Sequence, residues 1–147
     1  LDELGVARID VYNRSIEHGQ QMVAELRPVI RAELHTPKRL EYPVDLVVQA
    51  TSIGSGWSTS SSAWGDALSD ARDHLNVWNP RLGVFDLVYR PAPTPWTEAA
   101  KSLELAAVDG REMLVRQAAL SFELWTKRTA PLEVMRSAVY GTRWRER

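Results

Sequence analysis

The sequence predicts an α/β protein in which a doubly wound parallel sheet is followed by carboxyl-terminal helices. Three observations predict this fold. Short segments rich in β-branched residues alternate along the chain with segments of helical periodicity. Proline and glycine stand between these segments, where turns are needed. The length of 147 residues is that of one ordinary domain.

The composition is that of a globular chain and excludes several classes of function. With 44% hydrophobic and 25% charged residues, the chain is neither collagen-like nor wholly disordered. A formal net charge of -1 provides no global basic field for nucleic acid or a membrane surface, and the apolar runs are too short to cross a bilayer. The lack of cysteine excludes thiolate metal sites and fits a reducing compartment such as the cytoplasm.

The first part of the chain reads as strand, helix and strand. Residues 6–12 alternate between two faces and are rich in strand formers. A helix is predicted over Ile16–Leu26, with Ser15 as its cap. Its apolar residues share one face: Ile16, Met22, Val23 and Leu26. Because Pro28 stops the helix, residues 29–34 form a second, weaker strand candidate.

The same alternation continues in the second part. Residues 45–50 form a compact β-branched run before a Thr-Ser-Ile-Gly loop, which predicts a buried strand. A serine-rich stretch follows, with a helix around residues 63–74, and residues 83–89 predict another strand. The next helix starts with Thr94 as its cap and proline in its first position. A short strand is predicted over residues 105–108.

Two helices end the predicted fold. The first covers residues 111–127 and places four apolar residues at spacings of three and four: Leu114, Ala118, Phe122 and Trp125. The last begins between residues 129 and 132 and ends near Tyr140, before Gly141. Three tryptophans at helical spacing are expected in the core: Trp64, Trp96 and Trp125.

One strand of the doubly wound topology has no counterpart in these residues. In the strand order 3-2-1-4-5-6, the first strand lies between the second and the fourth. Residues 1–5 resemble the last turn of a helix closed by glycine, so we expect a strand and a Gly-rich phosphate loop before Leu1. Without that strand the sheet divides into two ribbons, about 9–10 Å apart, with bare inner edges. We therefore expect that the chain as given does not fold by itself.

A candidate cofactor site follows the first predicted strand, at Asn13, Arg14 and Ser15. An acidic residue here would favour the bare 2′-hydroxyl of NAD, whereas arginine offers a planar fork for a 2′-phosphate. Ser15 and the helix amides behind it add hydrogen-bond donors. The pattern favours NADP over NAD. The alternative is a surface arginine beside a serine that only caps the helix.

Three further candidates lie at predicted loops and on a helix. Thr51, Ser52 and Ile53 allow a ligand to approach the backbone closely, although a turn alone needs the same residue types. Tyr89 ends a strand and can offer its hydroxyl to a substrate, or it can be a half-buried core residue. Gln117 lies on an apolar helical stripe, where it reaches a ligand or is satisfied within the packing. No metal-ligand spacing and no catalytic triad rises above chance.

Four segments, in order and spacing, resemble the carboxyl-terminal half of shikimate dehydrogenase. They are VYNRS at residues 11–15, DLVVQATSIG at 45–54, VFDLVYRP at 84–91 with Thr94-Pro95 after it, and DGREMLVRQAA at 109–119 followed by FELW at 122–125. The resemblance covers nearly the whole chain except residues 55–79. It implies an incomplete, Rossmann-like NADP-binding domain over residues 1–109. It also implies that the helices of residues 110–147 pack back toward an absent substrate domain.

The resemblance implies an oxidoreductase of the shikimate pathway that reduces 3-dehydroshikimate to shikimate with NADPH in aromatic amino-acid biosynthesis. In that family, the residues that match Asn13, Arg14 and Ser15 hold the 2′-phosphate. Those that match Thr51, Ser52, Ile53 and Leu87 line the cofactor, and Gly110 approaches the nicotinamide. The matches of Tyr89 and Gln117 contact shikimate.

Some features of the family are missing or altered, which leaves alternatives open. The catalytic lysine and aspartate belong to an amino-terminal domain, so no catalytic residue is assigned in this chain. Gln49 and Arg90 stand where the family usually has asparagine, and Arg111-Glu112 replaces a small-residue pair. The positive charge of Arg90 leaves a quinate-preferring relative open. A noncatalytic ligand-binding or regulatory module of the same fold is the other alternative.

The expected partners are few. They are a small-molecule substrate and the chain's own amino-terminal segment, rather than nucleic acid, a membrane or a metal ion. A homodimer is compatible with the sequence.

Overall fold

The computed structural model describes residues 5–35, 44–52, 61–75, 81–89 and 93–141. The chain divides into two compact units, Leu1–Arg39 and Leu40–Arg147. Each unit contains a parallel sheet with at least one helix packed on it. No helix in the described ranges has the length and apolar character needed to cross a membrane.

The first unit is a β-α-β arrangement. Strand β1 is Ile9–Tyr12, helix α1 is Ile16–Leu26 and strand β2 is Ala32–His35. The two strands are parallel, as expected when a helix joins them. Val11 and Ala32 form one face of this ribbon and pack against Val23 of α1.

The second unit contains the remaining elements. Its strands are β3 (Leu46–Gln49), β4 (Gly83–Asp86) and β5 (Ala106–Val108), and its helices are α2 (Ser61–Leu75), α3 (Pro95–Ser102), α4 (Arg111–Thr126) and α5 (Leu132–Tyr140). The strands are parallel and follow the order β3-β4-β5.

Helices α2 and α3 cover one face of this three-stranded sheet. The buried core between them is apolar: Ala71, Leu75, Leu82, Val84, Trp96, Ala99 and Ala100. The strand register places Leu46, Val48 and Val108 together on the opposite face, and all three are exposed. The second unit therefore has one covered and one exposed apolar sheet face.

The strand pairing confirms the predicted division of the sheet. Strands β1 and β2 form one sheet and β3, β4 and β5 form another, so the strands within residues 6–12 and 45–50 do not pair directly. This arrangement is the one expected when the strand between β1 and β3 has no counterpart. The expected spacing between the two ribbons stays a prediction.

Most of the predicted helix ends are confirmed, and local capping explains them. The Ser15 hydroxyl accepts a hydrogen bond from the His18 amide, which starts α1 at Ile16. Thr94 and Thr97 form a reciprocal capping box at the start of α3. Gly141 follows α5 with a φ of 79°, a left-handed conformation that favours glycine.

Two predicted strand boundaries are wrong for identifiable reasons. The second strand is Ala32–His35 rather than residues 29–34, because the Val29 and Ile30 amides both bond to the Leu26 carbonyl at 3.0 Å. The strand predicted over residues 83–89 ends at Asp86. There the Asp86 carboxylate accepts a hydrogen bond from the Val88 amide at 3.0 Å.

The predicted helix faces also need correction. In α1, Ile16 and Met22 are exposed and the buried residues are Gly19 and Val23, because a two-stranded ribbon covers only a narrow stripe of a helix. In α4 the buried residues are Val115 and Ala119. Trp125 is 79% exposed rather than in the core. Trp96 is buried as predicted, whereas the side chain of Trp64 lies outside the described part.

Two helical glycines give a matched test of this packing. An added Cβ at Gly19 would lie 2.5 Å from Leu34 Cδ1, so Leu34 would have to move. We expect Gly19→Ala to lower the free energy of unfolding by about 1 kcal/mol. An added Cβ at the α2 residue Gly65 would meet nothing within 4 Å. Gly65→Ala should therefore raise the free energy of unfolding by about 0.5–1 kcal/mol. Urea titration of the full-length protein measures both changes, and equal stabilisation by the two substitutions would contradict the close approach of α1 to β2.

Candidate functional site

The segment Asn13–Ser15 joins the carboxyl end of β1 to the amino end of α1. The Asn13 side-chain oxygen accepts a hydrogen bond from the Ser15 amide at 3.3 Å, which orders the turn. Arg14 is exposed, and no described residue forms an ion pair with it. A guanidinium beside the first amides of a helix can bind an anionic group. The structure therefore brings all three predicted residues together.

The carboxyl end of β3 is ordered by Gln49. Gln49 is buried. Its side-chain oxygen accepts a hydrogen bond from the Thr51 amide at 2.8 Å, and its side-chain nitrogen donates one to the Thr51 hydroxyl at 2.9 Å. The backbone carbonyl oxygen of Gln49 accepts a hydrogen bond from the Leu87 amide at 2.9 Å. Thr51 and Ser52 are exposed, whereas Ile53 lies outside the described residues. Gln49 thus joins the loop after β3 to the turn after β4.

The turn after β4 and the start of α4 are in close contact. Gly110 is buried, and its amide donates a hydrogen bond to the Val88 carbonyl at 3.1 Å. A Cβ on Gly110 would overlap the Leu87 carbonyl oxygen and lie 2.8 Å from its carbonyl carbon. Only glycine therefore fits here. Tyr89, two residues after Leu87, is 42% exposed, so its side chain is not in the core.

Gln117 lies on an exposed apolar face of α4. Leu120 and Leu124, three and seven residues further on, are 69% and 65% exposed. Gln117 is itself exposed, so it is not a satisfied polar residue within the packing. An exposed amide side chain next to exposed leucines of the same helix face is available to a ligand or to another protein surface.

Helix α5 is attached to the start of α4 by polar contacts. None of its residues is buried. Arg136 bonds to Glu112 at 2.8 Å and to Glu133 at 3.0 Å, and Arg111 lies 4.6 Å from the centre of the Tyr140 ring. The Arg136 guanidinium holds the pKa of Glu112 below its ordinary value. An ion-pair group and a cation–π contact thus join the first residues of α4 to α5.

Asp86 is the functional candidate that the sequence reasoning missed. It is fully buried at the end of β4, directly before Leu87. Burial raises the pKa of its carboxyl group. Its Oδ2 atom has no hydrogen-bond partner in the described part of the chain. The signal in the sequence was a single acidic residue inside an apolar strand. Burying a carboxyl group costs free energy of folding, so a residue of this kind points to a specific role.

A cluster on β1 and β2 also escaped the sequence reasoning. Oxygen or nitrogen atoms of Asp10, Glu33 and His35 lie within 4.8 Å of one another. However, Asp10 pairs with Arg8 and Glu33 pairs with Arg31, both at 2.8 Å. These ion pairs already compensate the carboxylates, so the geometry does not support a metal centre.

The pKa shift of Asp86 has a consequence for stability. A raised pKa means that the folded protein holds this proton more tightly than the unfolded chain does, so unfolding releases it over the window between the two values. We expect the free energy of unfolding, relative to that of Asp86→Asn, to fall as the pH rises from the ordinary value of 3.8 through the raised value. Urea titrations of the full-length protein and of its Asp86→Asn variant across this window measure the difference. A difference that is constant or rises with pH would contradict the assignment.

The contact between Gly110 and Leu87 can be tested with a second pair of glycines. We expect Gly110→Ala to lower the free energy of unfolding by about 2 kcal/mol or more, because the backbone of Leu87 must move. Gly83 in β4 is the control, since its added Cβ would lie 3.4 Å from the exposed Leu46 side chain. Denaturant titration of the full-length protein should show a clearly smaller loss of the free energy of unfolding for Gly83→Ala than for Gly110→Ala.

Comparison with known proteins supports the resemblance. Residues 110–140, which contain Gly110, Gln117 and the α4–α5 hairpin, match the family model of the shikimate 5′-dehydrogenase C-terminal domain. A shikimate dehydrogenase (NADP(+)) of Methanocella arvoryzae is 34% identical over 132 residues, which is 88% of this chain and 45% of that protein. The chain spans about half the length of the curated relatives that it matches.

Solved structures agree on the fold. A shikimate 5-dehydrogenase from Thermus thermophilus, in complex with NADP(H) and shikimate, has a TM-score of 0.63 at 26% identity, covering 95% of this chain and 47% of that one. A ligand-free 5-ketofructose reductase of Gluconobacter has a TM-score of 0.72 at 23% identity, covering 92% and 47%. The strand order, the matched helices and the curated relatives lead to one conclusion: the chain corresponds to the carboxyl-terminal half of the shikimate dehydrogenase family.

Proposed function

We propose that this chain is the NADP-binding half of a shikimate dehydrogenase, an oxidoreductase that reversibly reduces 3-dehydroshikimate to shikimate with NADPH. The observation that carries the proposal is Arg14, an exposed guanidinium without an ion-pair partner among the described residues, at the amino end of α1. A 2′-phosphate is the group that distinguishes NADP from NAD and that arginine binds best. The names of the curated relatives and of the Thermus complex refer to the same cofactor and support this proposal.

Each part of the cofactor has a proposed set of residues. Asn13, Arg14 and Ser15 bind the 2′-phosphate, with Asn13 ordering the turn through its bond to the Ser15 amide. Thr51, Ser52, Ile53 and Leu87 line the rest of the cofactor. Gly110, whose backbone packs directly against the Leu87 carbonyl, is the residue proposed to lie beside the nicotinamide.

The proposed substrate contacts come from the turn after β4 and from α4. Tyr89 offers a hydroxyl and Gln117 an amide, and both residues are exposed. Bound NADPH supplies the hydride for the reduction. The described residues bind and orient the reactants, and alignment of this kind can supply several powers of ten in rate. We assign no catalytic residue to this chain, because the lysine and aspartate that the resemblance implies belong to an amino-terminal domain.

We also propose the division into a cofactor domain over residues 1–109 and returning helices over residues 110–147. Leu120, Leu124 and Trp125 form an exposed apolar face on α4 that fits contact with an amino-terminal substrate domain. That domain is the partner the chain needs in this proposal. A cytoplasmic location and a homodimer stay predictions from the sequence.

Two alternatives differ in testable ways. A quinate-preferring enzyme would show a higher kcat/KM for quinate than for shikimate with NADP+. A noncatalytic module would bind NADP without turning over either compound. The Gluconobacter reductase has the same fold and a name that refers to a different substrate, so fold likeness alone does not choose among these outcomes. Arg90, the residue that raised the quinate alternative, lies outside the described residues.

The role of Arg14 predicts a selective loss of affinity. In the full-length protein, Arg14→Ala should weaken NADP binding by about tenfold or more, or roughly 1.4 kcal/mol, because a charge-assisted bond to the phosphate is lost. NAD binding should change little, since NAD has no 2′-phosphate. Calorimetric titration with both nucleotides measures the two affinities.

The control for this test is Arg72→Ala, which removes an exposed arginine from α2. It should leave both affinities unchanged. Equal weakening of NADP and NAD by Arg14→Ala would contradict the assignment. A wild-type preference for NADP below about tenfold would do the same.

A further inference from the structure

The last residue of β4 carries a buried carboxyl group that the proposed site does not use. Asp86 is fully buried, and its Oδ1 atom accepts the Val88 amide at 3.0 Å. This local bond replaces a strand hydrogen bond and ends β4 two residues before Val88. Asp86 thus converts the end of a strand into a turn.

This turn holds the residues of the proposed cofactor and substrate site. The Leu87 amide bonds to the Gln49 carbonyl at 2.9 Å, and the Val88 carbonyl accepts the Gly110 amide at 3.1 Å. Tyr89 follows directly and is exposed. Backbone hydrogen bonds therefore join Leu87 to the end of β3 and Val88 to the start of α4, directly before Tyr89.

We propose that Asp86 is a positioning residue for the proposed dehydrogenase. Through its bond to the Val88 amide, it sets where the Leu87 carbonyl and the Tyr89 side chain lie relative to Gly110. The inference rests on the proposed function, and it adds a residue that touches neither cofactor nor substrate. A misplacement of about 1 Å in such a segment can reduce the rate about 10²-fold.

The role requires a hydrogen-bond acceptor and not a negative charge. Among the described residues, no cation is paired with this carboxyl and its Oδ2 atom has no hydrogen-bond partner. Burial raises its pKa and the nearby Asp109 adds to this effect, whereas the Thr94 side chain and the Val88 amide act in the opposite direction. Asparagine keeps an acceptor oxygen at the same position, serine keeps a shorter one, and alanine has none.

The test compares three substitutions at Asp86 in the full-length protein. Steady-state rates with shikimate and NADP+ give kcat and KM, and 2′,5′-ADP binding reports separately on Arg14 and its neighbours. We expect kcat/KM to fall about 10²-fold for Asp86→Ala, less for Asp86→Ser and least for Asp86→Asn. The affinity for 2′,5′-ADP should stay within about twofold of wild type in all three, because that fragment lacks the nicotinamide end.

A core substitution separates positioning from stability. Leu75→Ala removes a fully buried side chain of α2 and should lower the melting temperature without changing KM. If Asp86→Ala fails to fold, the comparison of Asp86→Ser with Asp86→Asn decides. The inference is overturned if the Asp86 variants behave like Leu75→Ala, or if Asp86→Asn loses as much kcat/KM as the other variants. A wild-type protein that binds 2′,5′-ADP but turns over neither shikimate nor quinate contradicts the proposed function, and this inference with it.

Discussion

The contact between the Leu87 carbonyl and Gly110 is the constraint on which the second unit depends. It brings the chain after β4 against the start of α4, with no room for a side chain between them. The Gly110 amide bonds to Val88 across the same contact. Since parallel strands deliver their carboxyl ends to one edge of a sheet, this constraint gathers the turn after β4 and the helix after β5 at that edge. Tyr89 and Gln117 are presented from these two elements.

The two units carry proposed recognition segments of different character. The segment Asn13–Ser15 is a short loop at a helix start, and its recognition rests on charge and on backbone amides. The segment around Leu87 relies on close backbone approach and buried hydrogen bonds. The first tolerates movement of a long arginine side chain, whereas the second depends on the position of backbone atoms. A substitution in the first segment therefore acts by removing a charge, whereas a substitution in the second acts by moving backbone atoms.

Element order and helix starts could be predicted because they depend on neighbouring residues. Ser15 and Thr94 cap their helices through bonds spanning three residues, which a local pattern reveals. The end of β4 could not be predicted so well, because the apolar run continues beyond Asp86 to Tyr89. A strand pattern and an Asp-centred turn compete there, and the close packing at Gly110 is visible only in three dimensions.

Sequence periodicity also failed to say which helix residues are buried. Trp125 has helical spacing from other apolar residues of α4, yet it is 79% exposed. Periodicity reports that a helix has an apolar stripe, but burial depends on the surface that covers it. The site residues were identified mainly through the family resemblance. Asp86 was not among them, because a residue that acts through its neighbours has no motif of its own.

The attachment of α5 makes one part of the molecule responsive to its ionic surroundings. Arg136 and Glu112 hold this helix, which has no buried residue of its own. Dissolved salt screens partly exposed charges over a Debye length of about 8 Å at physiological ionic strength. Added electrolyte therefore weakens the attachment of the last helix through its more exposed carboxylates, whereas the buried side chains Val115 and Ala119 of α4 carry no charge to be screened.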